Sequence, residues 1–220
     1  MGPLLFVGLS MTYRTSVYVD GFNLYFGALK GTPYKWLNIR SLCEYLLEPH
    51  NQVNAIKYFT AFVSGTPTNP DKSQHQQIYI RALRHSCPET EVIKGLFRTY
   101  EVTKRLVTPI SGVRHAKVIE TTEKGSDVNL AVHLINDAWL NRFDCAIVIS
   151  GDSDLAESIR LVRQHHPHKV VGVISPGKRS MSKELIKAAS FVRAVSTSSL
   201  IASQLPNPIP GTSIRKPNDW

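Results

Sequence analysis

The sequence is short of cysteine: only Cys43, Cys87 and Cys145, widely separated and without a CxxC pair, occur in 220 residues. Their odd number and spacing argue against a disulfide framework and against a thiolate zinc site, and the expectation is a reducing, cytoplasmic setting. Long apolar runs are also missing. The opening "MGPLLFVGLSM" is too short to span a bilayer and has no basic residue ahead of its apolar stretch, so it reads as a loose N-terminal extension, with Met11 an alternative start. No membrane association is expected, and neither an internal repeat nor a coiled-coil heptad is evident. Negative charge is scarce too: 17 Asp plus Glu stand against 26 Lys plus Arg, a formal net charge of +9. A basic surface of this kind attracts polyanions over long range, which makes nucleic acid the leading partner class.

What is present is a globular chain. A hydrophobic fraction of 42% is enough for a sizeable core, and the length suits one domain. Strand-like and helix-like segments alternate from residue 16 to about 193, the pattern of an α/β domain with a mostly parallel sheet. Strands are expected at 16–20, 55–63, 91–97, 143–150, 169–175 and 191–195, and helices at 38–47, 69–86, 126–139, 154–166 and 181–189. Asn38 is a natural cap for the first of these helices. Between 98 and 124 periodicity fades into a basic excursion, read as a hairpin, in which Arg98, Lys104, Arg105, Arg114, Lys117 and Lys124 outnumber Glu101, Glu120 and Glu123. The end, "QLPNPIPGTSIRKPNDW", carries four prolines and reads as a flexible tail. The expected organisation is an extension over 1–14, a domain over 15–195 and a Pro-rich tail over 196–220.

Open parallel sheets bind ligands beyond the carboxyl ends of their strands. "SVYVD" ends at Asp20, and "CAIVIS" ends at Ser150 and runs on into Gly151, Asp152, Ser153 and Asp154. Two strands therefore deliver carboxylates to one edge. Helical steps from Asp127 reach Ala131, Leu134, Ile135 and Ala138, which puts Asp127 on the stripe that faces the sheet, with Glu123 able to join from the preceding loop. Each acid taken singly has a plain structural role. Asp154 with Glu157 fits a capping pair, and Asp127 complements a helix dipole. Gathered at one low-dielectric edge, they repel one another unless a cation compensates, and oxygen-only ligands select hard ions such as Mg²⁺ or Mn²⁺. The "HHPH" run at 165–168 falls at a helix end opposite the strand tips and reads as surface.

"VYVDGFNLY" (17–25), "EKGSDVNLAVHL" (123–134) and "CAIVISGDSDLAESIRLVR" (145–163) together resemble the three signature segments of the NYN domain family, the LabA-like branch of the PIN-like nucleases. The resemblance spans roughly residues 15 to 195. It implies a PIN-like three-layer α/β sandwich with a central, mostly parallel sheet and an acidic, divalent-metal centre that cleaves RNA, an endonuclease being the expected form. It implies Asp20, Asp127, Asp152 and Asp154 as catalytic metal ligands for Mg²⁺ or Mn²⁺, with Asn23 orienting Asp20 or a water of the ion. Glu123, Ser150 and Ser153 are expected to support these ligands by hydrogen bonding. Lys104, Arg105, Arg114, Lys117 and Lys124 are expected to hold the RNA, and homo-oligomerisation is left open. "KGSD" carries Ser126 where the family more often has Val, a departure that removes no ligand. Two other readings compete. A non-catalytic RNA-binding or adaptor module would keep the fold and charge without cleavage. A haloacid-dehalogenase-like phosphatase is suggested by "GDSD", but the first strand ends in "DGFNL" rather than the DxDxT that supplies a nucleophilic aspartate.

Overall fold

The structure, a computed structural model, describes residues 12–67, 69–177 and 181–220. Most of the segment read as an N-terminal extension, residues 1–11, lies outside the described residues. Strand β1 (Tyr13–Asp20) leads into a short helix, α1 (Gly21–Leu24), which widens into a π-helical turn at Tyr25–Leu29. Then follow α2 (Ile39–Leu46), β2 (Asn51–Thr60), α3 (Lys72–Ser86) and β3 (Thr90–Lys94). A long ribbon, β4 (Leu96–Ile110) and β5 (Val113–Lys124), precedes α4 (Ser126–Trp139) and β6 (Cys145–Ile149). A 3₁₀ turn (Ser153–Leu155) opens α5 (Ala156–His165), and β7 (Val170–Ser175), α6 (Lys183–Ala188), β8 (Phe191–Ala194) and α7 (Thr197–Ala202) complete the order. The expected α/β alternation is borne out, and Asn38 caps α2 by accepting from the Ser41 N–H at 3.1 Å.

Six strands form one sheet in the order β3-β2-β1-β6-β7-β8, every pairing parallel. Alternation along the strands feeds two apolar layers. Val17, Val19, Ile147 and Ile149 point to the side covered by α2, α3 and α7, while Tyr18, Val148, Val171 and Val173 point to α4, α5 and α6. The result is a three-layer sandwich. The chain winds outward from β1 through β2 to β3, then returns to the other side of β1 with β6. The order therefore reverses between β1 and β6, and the loops beyond those two strand ends border a crevice.

One strand boundary changes. The strand read at 91–97 is two elements, because the chain breaks at Gly95: a side chain there would strike the Glu123 carboxylate and approach the Lys124 carbonyl oxygen at 2.7 Å. Leu96 and Phe97 begin the ribbon instead. The basic excursion is, as expected, a hairpin, fifteen residues against twelve, and it forms a two-stranded sheet apart from the main one.

The Pro-rich segment is not loose. Leu200, Leu205 and Ile209 are buried in the same cluster as Val17 and Val19. Leu205 N–H donates to the Trp36 carbonyl at 2.8 Å, and the Trp36 indole N–H donates to the Pro206 carbonyl at 3.0 Å. Trp220 closes the stretch against Trp36 and Tyr79, ring centroids 6.3 and 6.1 Å away. The prolines shape a hydrogen-bonded cover over α2 and α3, and the few apolar residues between them are anchors. Ile209→Ala should accordingly cost about 2–4 kcal/mol, the range for truncating a buried aliphatic side chain. Urea unfolding measures it, and a loss below about 0.5 kcal/mol would mean that the segment is not docked.

Candidate functional site

The site is assembled at the point of reversal. Asp20 ends β1 and is 4% exposed. The turn that follows requires glycine, since a Cβ on Gly21 would lie 2.8 Å from both the Phe59 carbonyl oxygen and the Tyr58 ring. This lets the chain fold back at once into α1, so that the Asn23 N–H donates to Asp20 Oδ1 at 2.9 Å. The other carboxylate oxygen accepts from Ser150 Oγ, at the end of β6, at 2.9 Å. Ser150 Oγ in turn accepts from the Asp152 N–H at 3.1 Å. The Asn23 side chain does not orient Asp20. Its Oδ1 accepts from the Gly151 N–H at 2.9 Å and ties the β6 loop to α1, while its backbone holds the aspartate.

Asp152 caps the 3₁₀ turn, its Oδ1 accepting from the Asp154 N–H at 3.0 Å. The capping role anticipated for Asp154 thus falls to Asp152. Asp154 and Ser153 are exposed, and neither side chain has a hydrogen-bond partner among the described residues. Among the described residues Ser153 makes no hydrogen bond to an acid, whereas Ser150 does.

Asp127 is not on the buried stripe of α4. The buried positions are Ser126, Leu130, Leu134, Asp137 and Ala138, one step round the helix, and Asp127 is exposed in the first turn. It nevertheless borders the crevice together with Asp20, Asn23, Asp152, Glu123 and Lys72. Glu123 is the penultimate residue of β5 rather than part of a loop. Its Oε1 accepts from the Ser126 N–H at 3.1 Å and from Ser126 Oγ at 2.9 Å, so the serine that departs from the family pattern fixes this acid at the head of α4.

The electrostatics follow from the gathering. Burial pushes the Asp20 carboxyl up, against the lowering pull of the bonds from Asn23 and Ser150. Partial burial, then the charges of Asp20, Asp152, Glu123 and Asp154, in that order, raise Asp127 to about 6. Asp154 contributes least. A carboxyl raised in the folded state from 3.8 to about 6 costs little below pH 3.8, where it is mostly protonated in both states; the cost builds as pH rises from 3.8 to about 6 and is complete above that. In EDTA, Asp127→Asn should therefore stabilise the protein at pH 7.5 by about 1 kcal/mol, a figure discounted for solvent screening, and by little at pH 3.5. Thermal melts at the two values check it; equal stability of the two proteins at pH 7.5 would remove the mutual repulsion.

Among the described residues no three His, Cys, Asp or Glu side chains close round one point as a preformed metal cage would. The donor set is instead carboxylate oxygen, partly used by fixed hydrogen bonds and facing an open crevice of about 450 Å³. That chemistry fits a hard cation held by a few carboxylates and otherwise hydrated. "HHPH" belongs to a different place: His166 packs edge-on against Trp139, ring centroids 4.6 Å apart.

Of the five basic residues expected to hold RNA, two are already engaged. Lys104 pairs with Glu120 and Lys117 with Glu101, each at 2.7 Å across the ribbon. Arg105, Arg114 and Lys124 are exposed with no ion pair among the described residues, as is Arg98. Sequence reading overlooked Lys72, at the start of α3, which reaches the crevice itself, and the aromatic residues Phe22, Phe26 and Phe97 on its walls. Phe22 and Phe97 meet edge to face at 5.7 Å, joining α1 to the base of the ribbon. The signal for Lys72 was weak, a lysine near a helix start two residues after Pro70. Among the described residues no helix is long and apolar enough to cross a membrane.

The NYN domain family model matches residues 14–196. A curated relative, 6-hydroxy-3-succinoylpyridine 3-monooxygenase HspA of Pseudomonas putida (strain DSM 28022 / S16), is 33% identical over an alignment covering 94% of this chain and 75% of that one. Among solved structures, a protein of unknown function, VPA0982, from Vibrio parahaemolyticus RIMD 2210633 superposes with a TM-score of 0.57 at 20% identity, covering 89% of this chain and 98% of the other. At that identity the likeness speaks to the fold alone.

Proposed function

The chain belongs to the NYN domain family, a nuclease-like family, and on that footing we propose that it is a divalent-metal-dependent ribonuclease that hydrolyses phosphodiester bonds of RNA. The observation that carries the reading is the bridge from Ser150 to Asp20, which fixes two strand-end loops so that Asp20, Asp152, Asp127 and Glu123 border one crevice on an otherwise basic protein. Asp20, Asp127 and Asp152 would hold Mg²⁺ or Mn²⁺. When bound, such an ion polarises a phosphoryl oxygen and makes a water more acidic.

The chain's own residues do the rest. Ser150 and the Asn23 backbone hold Asp20 in one orientation, which spares the site reorganisation during the reaction. Ser126 holds Glu123 at the crevice edge. Lys72 meets the phosphate where the strand enters, and the unpaired Arg98, Arg105 and Arg114 on the ribbon grip the backbone further out. The oxygen of water attacks phosphorus, the bond to one ribose oxygen breaks, and that oxygen leaves as an alcohol once protonated. Asp154 lies outside the crevice and adds negative potential.

A second reading is favoured by the name of the 33% identical relative, a monooxygenase acting on 6-hydroxy-3-succinoylpyridine, together with an aromatic-lined pocket beside the crevice. On that reading the chain acts on a small heteroaromatic acid. Labelled single-stranded RNA incubated with Mn²⁺, Mg²⁺ or EDTA separates the two. Products that require the ion, and whose yield falls as salt is raised, are expected. Intact RNA under all conditions would leave the adaptor and monooxygenase readings standing and end this one.

A further inference from the structure

Next to the acidic crevice, and sharing Phe22, Phe26, Val63 and Lys72 with it, lies a second and narrower cavity of about 110 Å³. Its walls are the rings of Phe22, Tyr25, Phe26, Tyr58, Tyr79 and Trp220. The crevice has room for a sugar-phosphate chain; the cavity suits a single planar ring. The π-helical turn places Tyr25 and Phe26 side by side at its mouth, ring centroids 5.2 Å apart, and Phe26 is 56% exposed although it lines a pocket. Lys30 Nζ stands 5.1 Å from the Phe26 ring centre, and the part of the ring that stays exposed beside the charged crevice offers a surface for stacking.

Among the polar groups of the lining, some are already engaged: His75 Nε2 lies 3.5 Å from Asp219 Oδ1. Tyr79 spends its hydroxyl on the Leu37 carbonyl at 2.9 Å, and the Gln76 amide is used fully by Val63, Thr60 and Ala61. Tyr58 is 7% exposed, lines the cavity, and its hydroxyl makes no hydrogen bond among the described residues. Buried phenols ordinarily find a partner, because leaving the group unpaired costs free energy. Tyr58 is not among the buried side chains whose polar atoms are sealed off, so its hydroxyl is reached from the cavity and is free to donate to an acceptor that enters there. The charged lining is two lysines and one acid: Lys72 stands at the junction with the crevice, Lys35 lies 5.7 Å from the Trp220 ring, and Asp219 sits beside His75.

We infer that this cavity receives one unstacked base of the RNA strand, its ring against Phe26, its carbonyl oxygen accepting from the Tyr58 hydroxyl, and its phosphate directed past Lys72 into the acidic crevice. The inference rests on the ribonuclease reading for the identity of the strand, and it adds to that reading a substrate class. Only a single-stranded or locally opened RNA can present such a base, so the enzyme would cut unpaired regions and spare duplex.

The test uses the full chain and uridine monophosphate in EDTA, followed by calorimetry, so that no cleavage chemistry is required. Binding is expected to weaken about fivefold in Tyr58→Phe, the effect of one neutral hydrogen bond, and about tenfold in Phe26→Ala, the effect of a lost stacking face. Phe26 is exposed and Tyr58→Phe keeps the ring, so both variants should fold. Uracil alone and ribose 5-phosphate alone should each bind more weakly than the nucleotide. Equal affinity of the two variants and the native protein for the nucleotide would overturn the assignment. So would uracil binding as tightly as the nucleotide, since the cavity would then serve a free ring rather than a strand. With RNA as substrate, both variants should raise KM by similar factors and leave kcat nearly unchanged. Ion-dependent cleavage with an unaltered KM would sink the base site alone, whereas nucleotide binding that depends on Tyr58 without any cleavage would sink the ribonuclease reading alone.

Discussion

Asp20→Asn should lower ion-dependent RNA cleavage at least about a hundredfold, because losing a charged ligand forfeits several kcal/mol of transition-state stabilisation. The amide is nearly the same shape as the carboxylate. Its oxygen can still accept from Ser150 or from the Asn23 N–H, so the crevice should persist. Removing one of several mutually repelling carboxylates also leaves thermal stability no lower than before. The informative comparison is Asp154→Asn. Asp154 is exposed, borders no part of the crevice, and supports nothing by hydrogen bonding, so its loss should change the rate less than about threefold through long-range potential alone. Measured side by side on one single-stranded substrate, a fall at Asp154 as deep as that at Asp20 would mean that Asp154 is itself a ligand. Full activity of Asp20→Asn would remove the metal centre altogether.

The largest effect on stability is expected away from the crevice. Asp137, on the buried face of α4, is 2% exposed and gathers Lys57 Nζ at 2.5 Å, the Tyr18 hydroxyl at 2.8 Å and the Arg142 guanidinium at 3.0 Å. Burial, then the Asp137 charge, push the Tyr18 phenol well above its ordinary range, so it remains a donor. Asp137→Ala leaves Lys57, 8% exposed, with only His133 Nδ1 at 3.1 Å to accept from it. An uncompensated buried ammonium should cost about 3–5 kcal/mol. For a domain of this size that lowers the melting temperature by about 6–20 °C. Replacing Lys57 and Asp137 together by Met and Leu should restore much of the loss, since the charge and its counter-charge leave together. A drop of less than about 1 kcal/mol in the single variant would show that water reaches Lys57 and that the network is not sealed.

Which parts of this were legible beforehand depends on the range of the interaction that decides them. Local periodicity and composition placed the six strands of the main sheet and five of the seven described α-helices, missing the short α1 and α7, because an amphipathic pattern must match its element whatever surrounds it. The three signature segments fixed the family and the strand tips that carry acid. They could not say which side of α4 Asp127 faces: its helical stripe is shared by residues one step apart, and packing against β1 and β2 selected Ser126 instead. Nor could they say that Asp152 rather than Asp154 caps the turn: Asp152 is the extended residue just ahead of it, and its side chain accepts from the Asp154 N–H.

The segment after residue 196 shows the limit most clearly. Its prolines and polar residues carry the composition of a flexible tail, and only the apolar surface of α2 and α3, assembled from distant parts of the chain, gives Leu205, Ile209 and Trp220 somewhere to go. The aromatic cavity belongs to the same class. Tyr58 reads along the sequence as one more strand residue, and its unpaired hydroxyl becomes visible only when α1, β2 and α3 close round it. The sequence by itself determined the family, the order of the main strands and helices and the net positive charge, since these follow from residue type and spacing. Tertiary structure decided which acids meet and what stands beside them, because side-chain direction and burial are set by neighbours a hundred or more residues away.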